Sequence, residues 1–150
     1  MSRKCESQVS ITFPLPVEDG WPPAGAECLP FERVDEGYRL LDAPLFVGDL
    51  SVNDIIAVEL DDEHIAHAWK HVRRSARTTI WLLRQKDPND IEQTLRKLRD
   101  LGCNTARLAK LGCYAIDVPE LVPMSDVDAV LSSMDSTSVA VAFPSLRHPQ

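Results

Sequence analysis

From residue 36 to residue 79, apolar and polar positions change places over two residues and not over three or four. That is the period of short strands joined by tight polar turns, and no helix of useful length fits there. The same alternation begins at residues 8–15, where Val9, Ile11, Phe13 and Leu15 alternate with Ser10, Thr12 and Pro14. Residues 16–30 break regular structure with four prolines and two glycines, and Trp21 inside them is expected to plug the end of the sheet as a buried anchor. Further strands are expected at 27–33 and 37–41 around a turn carrying Asp35 and Glu36, then at 45–47, 55–60 and 65–72. On the last of these, Ile65, His67, Trp69 and His71 should share one face, with Ala66, Ala68, Lys70 and Val72 on the other. These strands can close into a small barrel or a strongly curled sheet covering residues 1–77.

From Thr78 the pattern changes. The run Ile80, Trp81, Leu82, Leu83 suits a strand covered on both faces. Asp87 and Pro88 then read as the start of a helix whose stripe is Ile91, Leu95, Leu98 and Leu101, ended by Gly102. Strands follow at 103–109 and 113–118. A second helix comes next, with Ser125 and Asp128 as its capping box and Val127, Val130, Leu131 and Met134 inward, and a strand at 138–143 ends the order. Strand, helix, strand, strand, helix, strand is the order of the ferredoxin-like split βαβ unit (βαββαβ). The fold class expected is therefore α+β, with a second subdomain over residues 78–150.

With 150 residues and 44% apolar content, the chain can bury one ordinary core or two small ones without a disulfide or metal. Its four cysteines, Cys5, Cys28, Cys103 and Cys113, have no two-residue spacing and read as reduced thiols. The start of the chain has no apolar run of signal or membrane length, so a cytoplasmic location is the expectation. The net charge of −7 is uneven: residues 1–77 hold fourteen acidic and eight basic side chains, a net of −6, against nine and eight after them. A surface of that sign repels nucleic acid and anionic lipid and speeds the encounter with a basic protein.

The segments Tyr38-Arg39-Leu40, Asp42-Ala43-Pro44-Leu45-Phe46, Asn53-Asp54-Ile55 and Ser75 to Thr79 resemble a family of bacterial proteins known as domain of unknown function 4265. The resemblance runs from about Glu27 onward. At the junction, Ala76 and Arg77 stand where the family pattern has glycine and histidine, which puts in question any chemistry that histidine performs in the family. The resemblance brings no established activity. In size and acidity the chain is similar to bacterial immunity proteins, by analogy only.

No catalytic constellation stands out. His64, His67 and His71 lie within eight residues, yet on a strand His64 points away from the other two, so structural histidines are expected and no metal or other cofactor. Ser75 with His71 as base lacks the exposed strand-to-helix elbow and an oxyanion hole. Cys103 and Cys113 read as small hydrophobes. The basic run Lys70, Arg73, Arg74, Arg77 reads as a face paired with nearby carboxylates. The candidate site is acidic instead: Asp35 and Glu36 on one turn, with Glu59, Asp61, Asp62 and Glu63 at another. The expected function is a non-enzymatic immunity protein that covers the basic active site of a cognate toxin, such as a nuclease, with neither nucleic acid nor membrane as partner. A small-molecule sensor built on the strand ends at 110–113 is the alternative, and an enzyme on Ser75 or the histidines ranks last.

Overall fold

The computed structural model describes residues 8–86 and 90–149, apart from the side chain of Ala109. Two compact units divide the chain, Met1–Ser75 and Ala76–Gln150. Together they hold two antiparallel sheets and, among the described residues, two α-helices, an α+β composition rich in sheet. No helix among those residues is long and apolar enough to cross a membrane.

The first unit is a meander of β1 (Gln8–Pro14), β2 (Ala26–Val34), β3 (Gly37–Leu40), β4 (Ile55–Leu60) and β5 (Ala66–Arg73), each antiparallel to the next. Val9, Ile11, Phe13, Leu29, Phe31, Leu40 and Ile56 turn inward from alternate positions to form its core. The sheet curls until β1 meets the far end of the meander: Thr12 bridges Ile65 in parallel and donates its N–H to the His64 carbonyl at 2.9 Å. The β2–β3 hairpin needs glycine at its exit. Gly37 has φ +151, and a Cβ there would lie 2.2 Å from the Ile56 carbonyl oxygen.

Three expectations for this unit need correction. Residues 45–47 form no strand; their N–H groups turn to a side chain instead of a neighbouring strand. Trp21 is 49% exposed and rests edge-on against Phe46, with ring centroids 6.1 Å apart, so it does not plug the sheet. The predicted faces of β5 also slip. Glu59 pairs with Ala68 but Leu60 with Ala66, which makes His67 the extra residue of a β-bulge. The bulge inverts the alternation, so Ala66 is buried and His67 exposed, while Trp69 and His71 keep the inward face they were expected to share.

The second unit orders its strands β7–β8–β6–β9, all neighbours antiparallel: β6 (Thr78–Arg84), β7 (Asn104–Leu108), β8 (Cys113–Val118) and β9 (Val139–Ser145). Helix α1 (Ile91–Asp100) follows β6, and α2 (Met124–Ser132) follows β8. Each helix thus carries the chain past one intervening strand. The predicted stripe holds: Ile91, Leu95 and Leu98 pack with Val127, Leu131 and Met134 against Ile80, Leu82, Tyr114 and Ile116. The expected cap at Asp87 and Pro88 lies outside the described residues; Asp90 occupies the N-cap position of α1 and makes no side-chain cap bond. For α2 the expected capping box does not form, because the helix begins two residues early, with Pro123 and not Ser125 at its N-cap, and Ser125 falls inside its first turn.

Candidate functional site

Much of the first unit's acidity is turned inward, onto backbone N–H groups that no strand satisfies. Glu27 on β2 accepts from three successive amides, Leu45 at 2.5 Å, Phe46 at 2.9 Å and Val47 at 3.0 Å. Its carboxylate thereby fills a small nest of parallel N–H groups and replaces the predicted strand. Asp54, whose side chain is 0% exposed, does the same between distant parts of the chain. It accepts from the Ser51 N–H at 3.0 Å, the Ser75 N–H at 2.7 Å and the His71 Nε2 at 2.8 Å. Ser75 completes the knot by donating its hydroxyl to the Val52 carbonyl at 2.7 Å, so the oxygen considered as a nucleophile is engaged as a turn donor. His71, held by Asp54 and stacked edge-on to Trp69, is a positioned structural histidine.

The six acidic residues singled out from the sequence separate under this geometry. Asp61 is a turn acceptor. Its Oδ1 takes the N–H groups of Glu63 at 2.8 Å and Ile65 at 3.0 Å, and its Oδ2 lies 3.0 Å from the His67 Nε2. The Ile65 amide, with help from His67 and Glu63, holds its carboxyl below the ordinary aspartate range. Glu36 is taken by Arg73. Glu59 stands on the outer face of β4 and not on a corner, whereas Asp62 and Glu63 sit on the β4–β5 turn and Asp35 on the β2–β3 turn. Strand direction puts both turns at one end of the meander. They are not level, since Tyr38 pairs with Ile56 and Leu60 lies four residues further on, roughly 13 Å along the strand. Asp35, Glu59, Asp62 and Glu63 are exposed, and no ion pair among the described residues engages them.

The basic run is spent locally. Arg73 pairs with Glu36, and Arg74 grips Asp49 through both carboxylate oxygens at 2.6 and 3.1 Å. In the second unit Arg77 forms a two-point pair with the buried Asp117 at 2.9 and 2.5 Å, while Asn104 donates to the same carboxylate at 2.8 Å. Such forked geometry favours the charged guanidinium, and Asp49 and Asp117 raise the Arg74 and Arg77 pKa values respectively. Of the four cations only Lys70, exposed on β5, has no ion pair among the described residues. His67 and His71 face different carboxylates, Asp61 and Asp54 respectively. Burial pushes the Cys103 thiol up to about 11 and raises Cys113 as well, the environment of inert core thiols. A third knot, missed in the sequence, joins the end of the chain to β6. Thr78 Oγ1 donates to His148 Nδ1 at 2.7 Å and accepts the N–H groups of Arg147 and His148, while His148 Nε2 donates to the Pro119 carbonyl at 3.0 Å.

The β4–β5 strand pair also bears an open cleft of about 410 Å³, lined by Ala57, Val58, Glu59, Ala68, Trp69 and Lys70. Ala57 lies opposite Lys70 and Ala68 opposite Glu59, so each small residue leaves space beside a long one, and Glu59 and Lys70 put opposite charges on the wall. No periodicity argument could find it, because it depends on which small residues the bulge aligns.

Asp54→Asn is expected to cost about 2–4 kcal/mol, since an amide has one accepting oxygen where the carboxylate has two, and at least one buried donor loses its partner. Urea unfolding followed by circular dichroism measures it, and a loss under 0.5 kcal/mol would show that the knot carries little stability. For Asp61 the sign is that of a depressed carboxylate: its contribution is present above the unfolded value, near 3.8, and is lost as pH falls through the lower folded value. Asp61→Asn should therefore lower the melting temperature at pH 6–7, with parent and variant converging below about pH 4. Parallel melting curves at every pH would remove Asp61 from the turn's stability.

A structure described as that of a hypothetical protein from Neisseria gonorrhoeae superposes with a TM-score of 0.70 at 16% identity, over 94% of this chain and 98% of that one, a likeness of fold alone. A search of curated protein sequences finds no match. The family model described as domain of unknown function (DUF4265) matches residues 27–141, more than three quarters of the chain. The segments that tie β3, the Asn53-Asp54 turn and Ser75 into one knot lie inside that match, and the chain belongs to the DUF4265 family.

Proposed function

We propose that this chain is a non-enzymatic binding protein, an immunity protein that neutralises a cognate toxin with a basic active site, a nuclease being the clearest case, in the cytoplasm. One observation carries the reading. The arginines of the basic run are paired within their own units, whereas Asp35, Glu59, Asp62 and Glu63 remain exposed without an ion-pair partner among the described residues. The surplus charge of the first unit is then available to steer and anchor a cationic surface. On this reading the first unit is a small barrel closed at Thr12 and Ile65, and the second is a ferredoxin-like split βαβ unit, consistent with its strand order. Both serve as rigid mounts for loops.

On this reading a basic toxin domain should be encoded beside this chain, and that domain is the probe. Replacing Asp35, Glu59, Asp62 and Glu63 by lysine should slow association about tenfold or more at low salt and flatten its salt dependence, with the fold unchanged. Stopped-flow association at several ionic strengths measures it; unaltered rates, or turnover of a substrate by the purified chain, would defeat the proposal.

The β4–β5 cleft supports a second reading, a small-molecule sensor, because its 410 Å³ is the size of an ordinary ligand pocket. The strand ends at 110–113 first considered for that role support it less: residues 109–111 form a 3₁₀ turn and Cys113 is buried. A metabolite that raises the melting temperature of the parent but not of Ala68→Trp would favour the sensor. A flat response across a metabolite panel favours the immunity protein.

A further inference from the structure

We propose that β9 is the interface of a symmetric homodimer, pairing antiparallel with β9 of a second copy to extend the four-stranded sheet to eight. The strand ends the order β7–β8–β6–β9 and, among the described residues, has a strand neighbour on one side only. Its exposed side chains are unusual for a free edge: Val141 is 40% exposed, Phe143 45% and the following Leu146 41%, with no charged residue from Val139 to Leu146. Natural edge strands are ordinarily guarded by charges, prolines or bulges, and residues 139–142 of β9, ahead of its bulge and Pro144, have none of these.

Charge selects a second copy as the occupant. In an antiparallel pair about a two-fold axis a residue near the centre meets its own copy, so a charge there would oppose itself. The other edges carry that penalty or are covered. β7 presents Arg107 and β5 presents His67, Lys70 and Arg73, while β1 is met at Thr12 by the corner before β5. Net charge agrees: the whole −7 resides in residues 1–75, and residues 76–150 hold nine acidic and nine basic side chains. Copies meeting through the second unit bring neutral surfaces together.

The register follows from the faces. A two-fold axis normal to the sheet pairs residues of the same face, and centring it on Val141 sets Val141 against Val141 and Phe143 against Val139 of the partner. A bulge and Pro144 end the straight part of the strand, since Thr79 pairs with Ser145 but Trp81 with Ala142. That break limits the interface to one short pairing and stops it from templating longer aggregates. Beside it, a hollow of about 170 Å³ lined by Met124, Asp128, Phe143 and Leu146 leaves room for the partner's side chains.

An interface this short is weak enough for mass action to show at micromolar concentration. Light scattering from about 5 to 500 µM should show the mass rise from one chain to two, with Val141→Lys and Phe143→Glu remaining single chains of unchanged circular dichroism. In a Cys5→Ser, Cys28→Ser background, Val141→Cys should form a disulfide-linked dimer on mild oxidation, because opposed strand positions place Cα atoms within disulfide reach. A single chain at all concentrations with no crosslink, a dimer indifferent to both charged variants, or growth beyond two chains would each overturn the proposal. So would protection of β9 amides that requires an added extended peptide, which assigns the edge to a foreign strand.

Discussion

The first unit depends on carboxyl groups that stand in for missing strand partners. Between β3 and β4 fourteen residues connect two short strands, and backbone N–H groups in such a loop cannot be left dry without a cost of about 1–3 kcal/mol each. Glu27 takes three of them, Asp42 takes the Ala43 amide at 2.9 Å, and Asp54 takes those of Ser51 and Ser75. Backbone bonds complete the frame: Leu40 donates to the Asp54 carbonyl and Asn53 to the Leu40 carbonyl, both at 2.9 Å. Asp49 and Asn53 adopt positive φ at 60° and 72°, a conformation these two residue types tolerate best after glycine. Polar groups thus fix the loop around a small core, and the strands it joins need not be long.

That arrangement explains what could be read from the residues and what could not. Strands whose alternation is driven by burial, such as Val9, Ile11 and Phe13, were legible, because one face must enter a core. The helices were legible for the same reason: the stripe from Ile91 through Leu98 has one way to be buried. Leu45 to Val47 misled, because three apolar residues look alike whether their amides meet a strand or a carboxylate. The partner, Glu27, lies eighteen to twenty residues away. The faces of β5 misled because a bulge adds one residue without any local mark in composition, and one residue is enough to exchange inside for outside.

The acidic site was legible as a charge surplus and illegible as a set of residues. A count of carboxylates cannot separate Asp61, folded onto its own turn, from Asp62 beside it, which is exposed. The spacing from Asp61 to Glu63 and Ile65 does match the reach of an aspartate to amides two and four residues on, so the turn role had a sequence signal that the run of like charges concealed. Arginine at 73 and 74 was readable as locally paired, although not with which partner, since Glu36 and Asp49 are brought near only by the curl of the sheet.

The segments that carry the family resemblance acquire a physical meaning from these contacts. Tyr38 to Leu40, Asn53-Asp54 and Ser75 are far apart in the chain, yet Leu40, Asn53, Asp54 and Ser75 are joined by hydrogen bonds. A motif built from residues that hold one another is a folding constraint before it is a chemical site. Arg77, at the junction, fits the same logic. Asp117 is 1% exposed in β8, and a buried carboxylate needs donors that satisfy both oxygens. Arg77 supplies two and Asn104 a third, so arginine at this junction is engaged in holding β6 to a buried charge. A histidine, with at most two ring donors on opposite sides of a five-membered ring, cannot make the forked contact. Arginine at position 77 is thereby matched to aspartate at 117 in both charge and geometry.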